Sequence, residues 1–436
     1  MSDIRKIVVI GGGSSYTPEL LYGFVDRKSR LAVEEIVLVD IPQGIKKLDA
    51  IGALGLRMFH KHGIDTRLSW TLDLESALPG ADFVLNQIRV GGLEARALDE
   101  QIPNRFGLIG QETTGAGGLF LGLRTMPVVM EIAKKMERLC PKATLINFTN
   151  PAGMVTQAVQ KATNIRCIGL CNIPINMKHG LASLLSMPVE RLNFDYVGIN
   201  HLSFITRVWD DHADYTQALL KRPLELMSSV VSNIQKLENP AAVIDAIGLI
   251  PCPYLAYYFF EDQQLAEELE GLKAGKGTRA NDVMATEKLL FNLYRDPELA
   301  AIPEELKRRG GSLYSEAALQ IVEAIAYSTG CILTVNIRNG LTIPELPEDA
   351  VIEVNCRVDK NGAVPVGKIV LPPQVRGLIQ QVKSYESLAV AAVLNRDRRL
   401  AQQALIGHPL AHDAVKALKV FDALWEAHAK YLSDYC

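Results

Sequence analysis

Short apolar runs closed by glycine or polar turns alternate with longer segments of helical periodicity through the first part of the chain. Four β-formers in succession, Ile7 to Ile10, carry no polar break and predict a strand buried on both faces. Further strands are expected over Glu35–Val39, Thr66–Thr71, Asp82–Gln87, Ala143–Phe148 and Arg166–Leu170. Between them helices are expected from Pro18, over Gly44–His62, around Arg96, over Thr125–Leu139 and over Ala152–Ala162. The stretch 107–118 reads as a polar loop too rich in glycine for a helix. Strands that alternate with helices in this way predict a parallel sheet covered on both faces.

Beyond residue 171 the pattern changes. Two β segments, Asp195–Asn200 and Leu202–Trp209, flank His201, and helical periodicity then dominates over Thr216–Leu237 and Ala241–Leu249. Pro251 and Pro253 bar a helix before Tyr254. Residues 261–277 read as an exposed charged loop with a short helix, followed by helices after Thr278 and over Ser312–Tyr327. Strands are expected over Cys331–Ile337, Ala350–Val358 and Lys368–Leu371, with helices from Val375 onward. The expected organisation is a domain 1–171 and an α+β domain 172–436 with helices packed on a small sheet.

The turn after the first strand carries the first chemical signal. Gly11, Gly12 and Gly13, followed by Ser14 and Ser15, allow a tight backbone turn, and the helix start beyond them offers unpaired N–H groups to a pyrophosphate. Asp40 closes the second strand at the spacing of a ribose-binding acid. Tyr16 stands where the usual fingerprint has its third glycine, but strand, turn, helix, strand and acid occur in the required order. A Rossmann-like domain binding NAD is therefore expected, since a carboxylate at Asp40 repels a 2′-phosphate and disfavours NADP.

Composition narrows the class. With 436 residues and a formal charge of −3, the chain has room for two domains and lacks the basic excess of a nucleic-acid binder. No signal peptide and no apolar run long enough to span a bilayer is read, so a cytoplasmic protein without a membrane partner is expected. The seven cysteines are scattered and show no C-x-x-C spacing.

Several polar residues stand at carboxyl strand ends, where such folds bind ligands. Asn86 and Gln87 either reach the cofactor's inner ribose or serve as turn formers. Arg89 and Arg96 offer guanidinium forks for an anionic substrate, or are solvated surface charges. Asn150 is either an N-cap or a further ligand contact. Cys171 sits at a strand-to-helix junction expected to lower its pKa; with His201 it makes an incomplete divalent site, unless both are ordinary core groups. Tyr254 belongs to an aromatic cluster that is most simply core, yet a phenol beside a cation can act as a base.

With these residues in place, the chain resembles glycoside hydrolase family 4 from end to end. The resemblance is carried by Gly11–Ser14, Ile88–Gly91, Arg96–Glu100, Gly110–Thr113, Thr149–Pro151, Leu170–Pro174, Gly198–His201 and Pro253–Leu255. It implies an NAD- and Mn²⁺-dependent hydrolysis of 6-phospho-β-glucosides, by transient oxidation at C3, tyrosine-assisted removal of the C2 proton, elimination and addition of water. Cys171 and His201 would hold the metal, Tyr254 would be the base and Glu112 would raise its basicity. Arg96, Asn150 and Arg279 would bind the phosphosugar, with Arg89 a further contact. Asn172 stands where α-specific relatives carry an acid; this argues for β-linked substrates and leaves the general acid unassigned. The resemblance also implies a homodimer or homotetramer. Two alternatives are a 2-hydroxy-acid dehydrogenase, since the expected fold is similar to that of lactate and malate dehydrogenases, and an NAD-binding sensor without turnover.

Overall fold

A computed structural model describes residues 4–222, 237–310 and 313–435. Strands β1 (Ile4–Ile10), β2 (Val33–Val39), β3 (Arg67–Thr71), β4 (Phe83–Asn86), β5 (Thr144–Asn147) and β6 (Arg166–Gly169) pair in parallel in the order β3-β2-β1-β4-β5-β6. Their inward and outward faces are both apolar because helices cover both, as the unbroken run Ile7 to Ile10 requires. The order reverses between β1 and β4, which opens a crevice at their carboxyl ends beside the glycine turn.

The chain then leaves the sheet and returns to it. β7 (Asn193–Ile199), β8 (Leu202–Trp209) and the two-residue β9 (Ile250–Pro251) form a separate antiparallel sheet. β10 (Cys331–Arg338), β11 (Val351–Asp359) and β12 (Gly362–Pro365) instead extend the first sheet, with β10 antiparallel to β6, so nine strands form one surface. The amino-terminal part is Rossmann-like and the whole is α/β. One core cluster runs through this sheet and the carboxyl-terminal helices, and a smaller one lies under β7–β9.

Three local expectations are corrected. The glycine-rich stretch does enter a helix, Gly115–Leu139, because close packing overrides low propensity: a Cβ on Gly117 would lie 2.4 Å from the Gln111 carbonyl oxygen. The charged segment after Phe260 is a regular helix, Glu261–Lys273, as its glutamates, glutamines and leucines favour. The strand expected over Lys368–Leu371 is absent; pairing with β11 is made by Gly362–Pro365, and Gly367, at φ +81°, turns the chain away. The helix expected over Thr216–Leu237 is seen over Thr216–Leu220, and its continuation lies outside the described residues.

The helix Gly115–Leu139 is, by length and composition alone, apolar enough to cross a bilayer, against the expectation above; but 78% of its apolar window is buried inside the protein. It also carries Arg124, whose Nη1 donates to Asp99 Oδ1 at 2.9 Å with both side chains buried. Replacing Asp99 by alanine leaves that guanidinium buried without its counter-charge and is expected to cost roughly 3–5 kcal/mol, read as a lower denaturation midpoint. An unchanged midpoint would show that the pair adds nothing to stability.

Candidate active site

A cavity of about 420 Å³ opens at the carboxyl ends of β1, β4, β5 and β6. Ser14, Gln87, Arg89, Arg96, Glu112, Asn150, Cys171, Asn172, His201, Tyr254 and Arg279 all line it, so the fold gathers most of the residues singled out from sequence. A larger cavity of about 720 Å³, between β7, β10 and the helix Asn172–Leu184, touches only Cys171 of that set.

The glycine turn adjoins the cavity through Ser14; Gly11, Gly12, Gly13, Ser15 and Asp40 lie behind and are not part of its lining. Gly11, at φ +83°, lies so close to the Gln87 backbone that a Cβ would sit 3.1 Å from it, and a Cβ on Gly13 would sit 2.6 Å from Asp40 Oδ2. Asp40 Oδ2 accepts from the Gly13 N–H at 2.6 Å, which places the carboxylate at the turn as the spacing predicts. Gln87 Nε2 donates to the Gly11 carbonyl and to Thr17 Oγ1 at 2.7 Å, fixing the start of the helix Thr17–Asp26. This cradle, with Ser14 and a helix N-terminus beside it, fits a dinucleotide pyrophosphate. Asn86 is not brought to the cavity. It is fully buried and its Nδ2 donates to Asn147 Oδ1 and Thr149 Oγ1, tying adjacent strand ends together.

Cys171, His201 and Tyr254 meet at the other side. Cys171 ends the segment after β6 and caps the helix Asn172–Leu184, accepting from the Ile173 N–H at 3.5 Å. His201 occupies the two-residue turn between β7 and β8 at φ +66°, a left-handed conformation that a non-glycine residue adopts at some cost in energy. The turn aims its Nε2 at Cys171 Sγ, 3.6 Å away. Such a separation suits two ligands of one cation, with bonds of about 2.1 Å to nitrogen and 2.3 Å to sulfur at a near-tetrahedral angle. Among the described residues no third His, Cys, Asp or Glu joins them, so a cation here would keep positions open for water or substrate oxygen. Tyr254 stacks on the imidazole, with ring centroids 4.2 Å apart, and its hydroxyl accepts from Thr113 Oγ1 at 2.9 Å.

Burial sets the protonation of all three groups. It holds His201 at about 4, so the imidazole is neutral and its lone pair available. Burial, then the charge of Glu353, raises the Cys171 thiol well above the ordinary range. The lowering expected from a helix start is present, through the Ile173 N–H, but the larger effects overcome it. Tyr254 is likewise raised, by burial first and then by Tyr257, Cys171 and Glu112, so an ionised Tyr254 would be a strong base.

Cations crowd the remaining wall. Arg89 pairs with Glu112, and Arg96 Nη1 lies 2.9 Å from Glu112 Oε1 while its Nε donates to Glu100 Oε1 at 2.6 Å. These charges hold Glu112 down to about 2 against the opposing effect of burial. Arg279 opens the helix Arg279–Tyr294 behind a Thr278 capping box. The sequence reading missed Thr113, Tyr257, Lys307 and Arg309, which also line the cavity. The basic run Lys307-Arg308-Arg309 ahead of Gly310 was the available signal for the last two.

Two family models match the chain: the Family 4 glycosyl hydrolase over residues 6–187 and the Family 4 glycosyl hydrolase C-terminal domain over residues 196–411. The chain belongs to glycoside hydrolase family 4. Among its family 4 relatives, one from Bacillus subtilis (strain 168) is 44% identical over 99% of this chain and 98% of its own length. The 6-phospho-β-glucosidase of Escherichia coli (strain K12) is 43% identical over 100% of this chain and 98% of its own. The 6-phospho-β-glucosidase of Thermotoga maritima, solved with manganese, NAD⁺ and glucose-6-phosphate, superimposes with a TM-score of 0.88 at 35% identity, covering 98% of this chain and 99% of that one. A malate dehydrogenase of Plasmodium falciparum shares the fold alone, at a TM-score of 0.52 and 13% identity.

In this family 4 chain Glu112 provides a charge-dependent part of stability. Its pKa falls from 4.5 to about 2 on folding. The stabilisation is therefore fully present above about pH 4.5 and lost as the pH falls toward 2. Glu112→Gln should be less stable than wild type near neutrality by on the order of 3 kcal/mol, with the gap closing over that acid window. Denaturant unfolding at a series of pH values checks this; a gap independent of pH would assign the loss to packing.

Proposed function

We propose that the chain hydrolyses 6-phospho-β-glucosides with the help of NAD and a divalent cation such as Mn²⁺. One observation carries this reading. Among the described residues lining the cavity, Glu112 is the only carboxylate, and two arginines hold it ionised. The paired acid and nucleophile of ordinary glycosidases are therefore missing there, while a tyrosine, a thiol and an imidazole converge instead.

Gly11, Gly12, Gly13, Ser14 and Ser15 would cradle the pyrophosphate and Asp40 a ribose, with Gln87 alongside. Arg96, Asn150, Arg279 and Arg89 would hold the 6-phosphosugar, and Cys171 and His201 would hold the cation. When bound, the cofactors supply reversible oxidation at C3 and polarisation of the resulting carbonyl, which acidifies the neighbouring C2–H. Tyr254, ionised, takes the C2 proton. The C2–H electron pair becomes the C1–C2 double bond, and the glycosidic oxygen leaves C1 with its bonding pair. Water then adds at C1, and Tyr254 returns a proton to C2. Thr113 orients the phenol through its hydrogen bond, and Glu112 raises its basicity. The amide of Asn172 is too weak an acid to protonate a leaving group, which suits β-linked substrates and leaves the general acid to be found. Assembly as a homodimer or homotetramer belongs to the same reading.

Incubation with a 6-phospho-β-glucoside, NAD⁺ and Mn²⁺ in deuterated buffer should release a sugar phosphate carrying deuterium at C2. Tyr254→Phe should lower kcat by about 10²–10⁴-fold. Hydrolysis without deuterium at C2 would overturn the proposal.

A further inference from the structure

Arg309 has no role in the chemistry above, yet the fold carries it into the same cavity. It ends the 3-10 segment Glu304–Arg309, which is anchored below by buried Leu306 and laterally by Arg279, whose Nη2 donates to the Arg308 carbonyl at 3.0 Å. Gly310, at φ +80°, then turns the chain in a conformation that suits glycine. The guanidinium Nε donates to Ser15 Oγ at 3.2 Å, and among the described residues no carboxylate forms an ion pair with it. Its neighbours differ. Glu112 and Glu100 pair with Arg89 and Arg96, whereas Arg309 has no such close partner: burial first, then repulsion from Arg89 and Arg96, lowers it to about 10, which Glu287 and Glu112 offset only in part. Lys307 also lines this wall, but it is exposed and paired with Glu304.

A guanidinium placed by backbone geometry in like-charged surroundings is unfavourable until an anion reaches it. Its planar fork matches phosphate oxygens, and it lies between the glycine turn, through Ser15, and the Arg89/Arg96 cluster. We propose that Arg309 is a phosphate-binding residue of the loaded site, ligating an oxyanion from the dinucleotide pyrophosphate or from the 6-phosphate of the sugar. The second source rests on the substrate class proposed above; the first does not.

The test uses the full chain with Arg309→Gln and Arg309→Lys. Thermal unfolding without ligands comes first: removing a repelled cation should leave the melting temperature no lower than wild type. Calorimetric titration follows, with NAD⁺ alone and with glucose 6-phosphate added to protein saturated with NAD⁺ and Mn²⁺. Arg309→Gln should weaken one of these by about tenfold or more, with Arg309→Lys intermediate. A loss confined to NAD⁺ identifies the pyrophosphate, and a loss confined to glucose 6-phosphate identifies the sugar phosphate. Both affinities unchanged, or falling only together with the ligand-free melting temperature, would overturn the assignment. Absence of phosphoglucoside cleavage by wild type would count against the proposed substrate and leave the NAD⁺ titration to decide the role of Arg309.

Discussion

A single buried carboxyl group joins the two sheets on which the site is built. Glu353 on β11 accepts from Asn336 Nδ2 on β10 at 2.8 Å and from Asn200 Nδ2 at the β7–β8 turn at 3.0 Å through one oxygen. Its other oxygen accepts from the Tyr196 hydroxyl on β7 at 3.1 Å. Burial raises its pKa, and these donors partly offset that cost. The consequence lies one residue further on. Fixing Asn200 fixes the hairpin tip, and the tip holds His201 in its left-handed conformation opposite Cys171. Strain of this kind persists only where surrounding contacts over-determine it. The Cys171–His201 pair thus depends on a sheet-to-sheet contact centred on Glu353, one of whose members, Asn200, also reaches Cys171.

Charge spacing is arranged by the same economy of carboxylates. Glu100 receives Arg96 on one oxygen and the Ala280 N–H, at 2.8 Å, on the other, so it links the helix Gly92–Arg105 to the start of the helix that bears Arg279. Glu112 receives Arg89 and Arg96 together. In a medium of low dielectric these ion pairs hold the guanidinium planes in fixed positions before any ligand arrives, and less reorganisation is left for binding. The two carboxylates therefore do for the arginines what Glu353 does for His201.

Much of this was legible in sequence, for definite reasons. The unbroken apolar runs before Gly11 and Asp40 could be little other than buried parallel strands, and the glycine spacing located the turn that carries Ser14 to the cavity. Cys171, His201 and Tyr254 drew notice because each type carries chemistry, but their convergence depends on a hairpin joined by Glu353, a contact between residues far apart in the chain. The entry of Gly115 into a helix was hidden because part of its reason is tertiary: glycine at 117 lets that helix approach the Asp99 backbone, where a Cβ would lie 2.7 Å from the carbonyl oxygen. Arg309 was invisible for the opposite reason. A basic run is usually a solvated face, and only the turn at Gly310 and the anchoring of Arg308 bring Arg309 against Ser15.

The shared fold of this chain and malate dehydrogenase leaves a question that the site itself answers. A dehydrogenase acting on a hydroxy acid uses its imidazole to exchange a proton with substrate, which requires a ring that ionises near neutrality and a group behind it to stabilise the ionised form. His201 has neither. Its Nδ1 is buried with no hydrogen-bond partner among the described residues, its Nε2 faces a thiol, and a phenol covers one ring face. An imidazole so enclosed stays neutral and offers a lone pair, the property of a ligand rather than of an acid. In the proposed reaction proton exchange falls to Tyr254, the group whose hydroxyl is hydrogen-bonded at the cavity wall. On that proposal a common sheet supports two chemistries because burial at one hairpin decides which side chain moves the proton.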